Sequence, residues 1–432
     1  MKRVLVITYY WPPSGGAGVQ RWLKFTKYLP SNEWQPVVYT PSNPEAPVDD
    51  PSLEQDIHPE TLVVKRPIRE PYMLYKKFVG MGAGERINAG FLSEDEKPPA
   101  KEGLAVWIRG NLFIPDARKY WIGPSVRFLK RYLRDHMVDA IISTGPPHSM
   151  HLIALKLHKQ FKIPWIADFR DPWTNIDYYK NLLLTYWADK KHRRLEKKVL
   201  TTADYILAIG PTMNEEFIKA GAKRVKTLTN GYDDYNLPED KSKHDRKFSI
   251  THVGSIPKSR NAEILWKALS DLIKTQKGFG DNLQINLIGK VDYSVTDSLN
   301  KYNLINFTAQ HKYIPHLQAL ERMSMSQVLL LLINNTQNAK AILTNKFFEY
   351  LSVKRPILAI GPTDGDIANI LESTKAGKIS GFNDLDNIKK NIISYYNLYL
   401  LNKLEINSGN IDKFSRLNIT KELVKTFQEV VI

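Results

Sequence analysis

The residues best equipped for chemistry stand close together in the stretch Ala341–Leu371. Lys346 and Glu349 are three apart in Asn345-Lys346-Phe347-Phe348-Glu349-Tyr350-Leu351, so on a helix they share neighbouring surface. Phe347, Phe348, Leu351 and Val353 supply the face that packs inward over Asn345–Val353. A lone lysine and a lone carboxylate in so apolar a stretch are hard to explain structurally, and the stretch reads as built to hold a ligand. The same two side chains can equally form a solvated helix pair worth roughly 0.2–0.5 kcal/mol. Arg355-Pro356 ends the helix, because the residue before a proline is pushed out of the helical backbone region. Pro356–Ile360 then reads as a buried strand, and Gly361-Pro362-Thr363-Asp364-Gly365 as the turn into another helix. A helix start beside the carboxyl end of a strand, with glycines permitting close backbone approach, is where open α/β sheets take up anions.

Three other strand ends carry reactive residues. Between the strand Phe248–Val253 and a helix from about Ala262 lies Gly254-Ser255-Ile256-Pro257-Lys258-Ser259-Arg260-Asn261. Its glycine, backbone N–H groups and two cations suit a diphosphate, though either cation can instead face solvent. The first strand, Arg3–Thr8, runs through Tyr9–Gly18 with Gly15 and Gly16 into a helix over about Val19–Leu29. The spacing is not G-x-G-x-x-G, so no dinucleotide fingerprint is present, and a tight strand–helix corner explains the glycines as well. The strand Ala140–Ser143 ends in Thr144-Gly145-Pro146-Pro147-His148-Ser149, and Trp165–Ala167 ends in Asp168-Phe169-Arg170-Asp171-Pro172-Trp173. These two ends bring His148, Asp168, Arg170 and Asp171 to one edge of a sheet. His148 can also be a turn histidine with an ordinary hydrogen bond. No group of His, Asp and Glu has metal-ligand spacing.

The elements that must position these residues alternate strand and helix, which defines an α/β chain with parallel sheets. A length of 432 residues suits two domains of about 200 each. Hydrophobic content of 43% with 25% charged residues is that of a folded globular protein. The chain has no cysteine, which excludes disulfides and thiolate metal sites. In MKRVLVITYY only Val4–Ile7 is an apolar core, too short for a signal peptide, and no run approaches a membrane span, so a cytoplasmic protein is expected. A net charge of +16 implies an anionic partner: nucleic acid, anionic lipid or a polyphosphate. No recognition helix or base-stacking motif supports nucleic acid.

Residues 71–120 interrupt the alternation as an insertion, with Tyr72, Met73, Leu74, Tyr75, Phe78, Val79 and Met81 around Lys76 and Lys77. Such a cluster can meet a lipid surface or cap the domain's own core. Arg127, Lys130, Arg131 and Arg134 form the basic face of an amphipathic helix, a pattern a sheet-covering helix with a solvated rim also produces. Asn181–Leu200 reads as one long helix whose Lys190, Lys191, Arg193, Arg194, Lys197 and Lys198 suit the C-terminal end of the macrodipole. Leu237–Lys247 is charged, lacks apolar periodicity and reads as a linker.

The run Lys346–Leu351, followed by Arg355-Pro356-Ile357-Leu358, resembles the donor-site segment of retaining family-four glycosyltransferases, in particular the bacterial surface-polysaccharide class. The resemblance spans nearly the whole chain apart from residues 71–120. It implies the GT-B fold, two Rossmann-like domains facing across a cleft. Residues 1–236 would form the acceptor-side domain, completed by a C-terminal helix at about 415–432, and residues 248–414 the nucleotide-sugar domain. It further implies that Glu349 holds ribose hydroxyls and that Gly15, Gly16, Gly254, Ser255, Lys258, Arg260, Asn345 and Lys346 line the donor. His148, Asp168, Arg170 and Asp171 would be the catalytic set. The expected reaction moves a sugar from a nucleotide diphosphate to an acceptor hydroxyl, with no metal and no cofactor beyond that substrate. A lipid-linked acceptor would place the enzyme on the inner face of the cell membrane, with the basic helix and the aromatic cluster against anionic lipid. Two departures stand out: Ala341 occupies the place of a second family glutamate, and His148 lies a few residues beyond the family's histidine position. They leave open a GT-B scaffold or partner subunit without turnover.

Overall fold

A computed structural model of the chain describes residues 1–46, 49–70, 100–233, 244–312, 314–406 and 408–431. It divides into two compact units, residues 1–229 with 416–432 and residues 230–415. The first unit runs β1 (Lys2–Ile7), α1 (Ala17–Tyr28), β2 (Trp34–Pro41), β3 (Leu62–Arg66), α2 (Ala100–Leu112), α3 (Lys119–Asp135), β4 (Ala140–Gly145), α4 (Ser149–Phe161), β5 (Trp165–Phe169), α5 (Tyr186–Thr202), β6 (Tyr205–Ala208), α6 (Pro211–Lys219) and β7 (Val225–Thr227). Its strands lie in the order β3-β2-β1-β4-β5-β6-β7, every pair parallel. Strands covered on both faces must be apolar almost throughout, and Val4–Ile7 and Ile141–Ile142 are fully buried.

The second unit repeats the plan with β8 (Phe248–Val253), α7 (Glu263–Thr275), β9 (Leu283–Ile288), α8 (Tyr293–Lys301), β10 (Thr308–His311), α9 (His316–Met325), β11 (Val328–Leu332), α10 (Asn345–Ser352), β12 (Ile357–Ile360), α11 (Asp366–Thr374), β13 (Gly377–Ser380) and α12 (Leu385–Leu400). The order is β10-β9-β8-β11-β12-β13, again parallel. The chain then returns to the first unit as α13 (Arg416–Val430), whose Ile419, Leu423 and Phe427 join the core formed with Trp22, Trp34 and Val38. In each sheet the strand order reverses, between β1 and β4 and between β8 and β11, and the carboxyl ends of those strands are the ligand edge of such sheets. Among the described residues no helix is long and apolar enough to cross a membrane.

Local chemistry moves several boundaries. The first helix begins at Ala17 because Gly16, at φ 89°, turns the chain and serves as its N-cap. The expected single helix Asn181–Leu200 is broken: Asp177–Leu182 is a 3-10 turn, Leu183 has φ 50°, and Thr185 Oγ1 accepts from Ala188 N–H at 3.3 Å to start α5. Helix α2 and the start of α3 fall inside the expected insertion at 71–120, whereas the Tyr72–Met81 cluster and residues 237–243 of the expected linker lie outside the described residues.

The first sheet is tied to its covering helix by one buried ion pair. Arg21 on α1 meets Asp168 at the end of β5 with Nη2 2.9 Å from Oδ1, and both side chains are almost wholly inaccessible. Asp168 also accepts from Arg21 Nε at 3.1 Å, Trp22 Nε1 at 2.7 Å and Thr144 Oγ1 at 2.9 Å, while Arg21 donates onward to the carbonyls of Leu228 and Thr229. Burial alone would raise the carboxyl's pKa, but Arg21's charge and these hydrogen bonds hold it below the usual range. Its stabilisation is therefore complete above the unfolded carboxyl's pKa of about 3.9 and is lost as pH falls toward the depressed folded value. Asp168→Asn, which leaves the guanidinium uncompensated, is expected to cost roughly 3–5 kcal/mol in denaturant unfolding at pH 7. An unchanged midpoint would refute this anchoring role.

Candidate functional site

At the second unit's ligand edge the site is built on α10. Tyr350 docks that helix: its hydroxyl accepts from Val253 N–H at 2.9 Å and donates to Leu330 O at 3.3 Å, fixing α10 over the ends of β8 and β11. One turn earlier, the Lys346 amine lies over Gly254. A Cβ at residue 254 would stand 2.7 Å from Lys346 Nζ, and Gly254 has φ +112°, a backbone that favours glycine. Lys346 Nζ donates to His252 Nε2 at 3.2 Å. His252 Nδ1 sits 2.9 Å from Leu330 O and must donate there, which leaves Nε2 its lone pair. Burial first, then the Lys346 charge, keeps His252 well below its ordinary pKa and hence neutral.

Burial, helped by the nearby Arg260 and opposed by Glu349, pushes the Lys346 amine down to about 7. Among the described residues no carboxylate comes within ion-pairing distance of it. Thr344, at the N-cap of α10, has a buried hydroxyl without a hydrogen-bond partner among the described residues. Arg260 Nε bonds Asn334 Oδ1 and Nη1 reaches Ser255 O at 3.4 Å, bridging the loops that leave β8 and β11. Lys258 is exposed, while Ser255 and Asn345 are partly buried beside this cluster in sequence. Glu349 accepts from His316 Nε2 at 2.9 Å, a partner on α9. The group as a whole can hold an anion by Lys346, Arg260 and the start of α10, with Glu349 free to accept from hydroxyls once His316 gives way.

At the first unit's ligand edge the expected residues divide by role. Arg170 is a brace: its backbone N–H bonds Gly145 O at 2.9 Å, Nη1 donates to Gly18 O at 2.6 Å, and Nη2 donates to Pro146 O. Gly15 is buried and Gly16 exposed in the loop it pins. Asp168, expected in the catalytic set, has its acceptor capacity committed to Arg21, Trp22 and Thr144, so it anchors the fold and is not poised for proton transfer. Asp171 is different: burial, against the pull of Arg170, raises its pKa to about 6. His148 is stacked on Trp173 with centroids 4.6 Å apart and planes 1° from parallel, and burial keeps it neutral. Among the described residues its Nδ1 has no hydrogen-bond partner, nor has Nε2 of the fully buried His151. Both nitrogens converge on Gly145, where a Cβ would lie 2.6 Å from His151 Nε2 and 2.9 Å from His148 Nδ1.

His252, His316, Asn334 and His151 were not among the sequence candidates. His252 has a signal, a histidine within the apolar strand Phe248–Val253, whereas His316, at the start of α9, and Asn334, in the loop after β11, owe their places to packing between elements distant in sequence.

Residues 89–235, which carry His148, Asp168, Arg170 and Asp171, match the family described as Glycosyltransferase Family 4. No curated protein matches the chain in sequence. Among solved structures it is similar to the sucrose-phosphate synthase of Thermosynechococcus elongatus, at TM-score 0.64 and 14% identity over 99% of each chain. It is also similar to Anabaena HepE in complex with UDP-glucose, at TM-score 0.62 and 12% identity over 99% of this chain and 100% of the other. A third is a Listeria monocytogenes protein described as a UDP-N-acetylglucosamine 2-epimerase, at TM-score 0.56 and 9% identity over 99% and 98%. The fold is that of the GT-B glycosyltransferases, and the first unit carries a glycosyltransferase family segment within it.

Two measurements check the Lys346 environment directly. NMR titration of isotopically methylated lysines should show one amine titrating near 7 that is missing from Lys346→Gln; a full set near 10.4 would show the amine to be solvated. Gly254→Ala should lose roughly 1–3 kcal/mol of stability from the strained φ and displace the amine.

Proposed function

We propose that the protein is a retaining glycosyltransferase that moves a sugar from a nucleotide diphosphate held by the second unit to an acceptor hydroxyl bound at the strand ends of the first. The observation that carries this reading is the Lys346 ammonium over Gly254, near Arg260 and unmatched by a carboxylate, one helical turn from Glu349. The family segment in residues 89–235 favours transfer over the epimerisation that another protein of this fold is described as catalysing. In this mechanism the bond from the sugar's anomeric carbon to the phosphate oxygen breaks, its electron pair leaving with the diphosphate. The acceptor oxygen bonds that carbon on the same face and its proton passes to the departing phosphate. Lys346 and Arg260 stabilise the growing negative charge, which is electrostatic catalysis by groups already in place, and no cofactor beyond the substrate is called for. Glu349 takes the ribose hydroxyls after releasing His316. His148 and Asp171 orient the acceptor. The surface-polysaccharide resemblance and the net charge of +16 favour a lipid-linked acceptor at the cytoplasmic face of the membrane.

Turnover of a panel of nucleotide sugars with a lipid-diphosphate acceptor tests the proposal, the product's anomeric configuration deciding retention. Donor binding without transfer to any acceptor would instead support a scaffold, for which Ala341 in place of the family glutamate is the motive. Glu349→Ala should weaken donor binding by roughly 1.5–3 kcal/mol in calorimetry. Arg260→Ala should lower kcat more than it raises KM, since the leaving charge grows in the transition state. Binding an anion must raise the pKa of Lys346 from about 7, so at pH 8–9 the complex takes up a proton. Affinity should then fall as pH rises above 7, approaching tenfold per unit, and Lys346→Gln should bind weakly with a flat profile. A pH-independent wild-type affinity would remove Lys346 from the site.

A further inference from the structure

We propose that a surface of the first unit, formed by α2, the turn Asp177–Leu182 and the start of α5, is where the protein rests on an anionic lipid bilayer. Trp187 is 76% exposed and Tyr186 69% exposed at the first turn of α5, the reverse of where a fold places such side chains for its own stability. Leu183, and Leu104, Trp107 and Leu112 on α2, are exposed as well. These residues belong to one surface because Asn111 ties the elements together. Its Oδ1 accepts from Thr185 N–H at 2.7 Å and Thr185 Oγ–H at 2.8 Å, and its Nδ2 donates to Leu183 O at 3.1 Å. Behind Trp187 on α5 come Lys190, Lys191 and Arg194, all exposed and, among the described residues, not ion-paired, with the Lys190 ammonium 5.7 Å from the centre of the Tyr186 ring. Exposed Trp, Tyr and Leu backed by unpaired cations match the two layers of a bilayer surface, acyl boundary and anionic headgroups.

Topology places the patch usefully. Helix α5 begins after the carboxyl end of β5, so Tyr186 and Trp187 stand at the edge that carries His148 and Asp171. Helix α3 leads into the amino end of β4, so Lys130, Arg131 and Arg134 in its second half lie toward the opposite edge, as do Lys197 and Lys198 near the end of α5; Lys190 and Lys191, in the turn after Trp187, stay with the aromatic residues. The contact surface is therefore the α2–α5 patch and not the basic face of α3. It deepens the lipid-linked acceptor assignment and rests on that reading.

The test is cosedimentation of the full chain with vesicles of phosphatidylcholine alone or with phosphatidylglycerol, at low and high salt. Wild type should bind the anionic vesicles, less so at high salt. The double change Tyr186→Ser, Trp187→Ser should lower partitioning at least tenfold, and Lys190→Gln, Lys191→Gln, Arg194→Gln about fivefold per charge. Arg127→Gln, Arg131→Gln, Arg134→Gln should bind as wild type. Equal binding by the double variant, or loss confined to the α3 variant, would overturn the proposal. So would self-association without vesicles that the double variant abolishes, since the patch would then bind a second copy. Calorimetry with nucleotide sugars separates the two readings: donor binding intact without vesicle binding refutes the surface alone, and no donor binding refutes the transferase.

Discussion

A parallel sheet whose strand order turns back at its first strand sends the two flanking crossovers to opposite faces, and the loops leaving those strands must diverge. Both sheets obey this constraint, and the candidate residues stand where they do because of it. At each divergence an arginine spans the gap. Arg170 holds the carbonyls of Gly18 and Pro146 in the first unit, and Arg260 holds Asn334 and Ser255 in the second. The two come from different loops and share no surrounding sequence, so the common feature is a mechanical need for donors between backbone segments that have lost their sheet partners. Arg260 adds a charge that its neighbour Lys346 feels, which makes one residue both brace and electrostatic component.

The buried cations divide by what faces them. Arg21 has a resident carboxylate, two carbonyls and no remaining need, and such a group stabilises a fold and does nothing else. Lys346 faces the lone pair of a neutral histidine, and Glu349, one helical turn on, is occupied by His316. Leaving a desolvated ammonium without a counter-ion is costly in a protein that only has to fold, and is sensible where the counter-ion arrives as ligand. The same distinction separates Asp168 from Asp171, two positions that sequence reasoning put in one class. Asp168, at the end of β5, points into four donors, whereas Asp171, past the strand's end, has a carboxyl that burial pushes up to about 6.

What was legible in the sequence was whatever depends on short spacing. Continuous apolar runs such as Val4–Ile7 and Val328–Leu332 were short enough to read as strands buried on both faces, and glycine-bearing ends marked several of their loops. Lys346 and Glu349 could be paired because one helical turn relates them. Their partners could not, since His252, His316 and Asn334 reach them through contacts between elements far apart in the chain. The break before α5 was hidden because Leu183 and Thr185 sit among residues of ordinary helical propensity, and only the left-handed turn and the cap stop the helix there. Missing that break also hid Tyr186 and Trp187, which read as interior positions of one long helix.

Helix α13 has a consequence for how the molecule is made. The second unit is inserted, in chain terms, between β7 and the helix that seals the first unit's core. When the first unit leaves the ribosome, the groove lined by Trp22, Trp34 and Val38 has no cover until the whole of residues 230–415 has followed. At roughly 5–20 residues per second that interval is on the order of 10–40 s. During it an apolar seam, with Trp34 awaiting the ring of Phe427 that finally lies 4.7 Å away, is open to chaperones and to other nascent chains. The second unit, contiguous in sequence, has every core residue synthesised before α13 emerges, so a chain ended before α13 would carry all of the second unit's core and leave the first unit's without its seal.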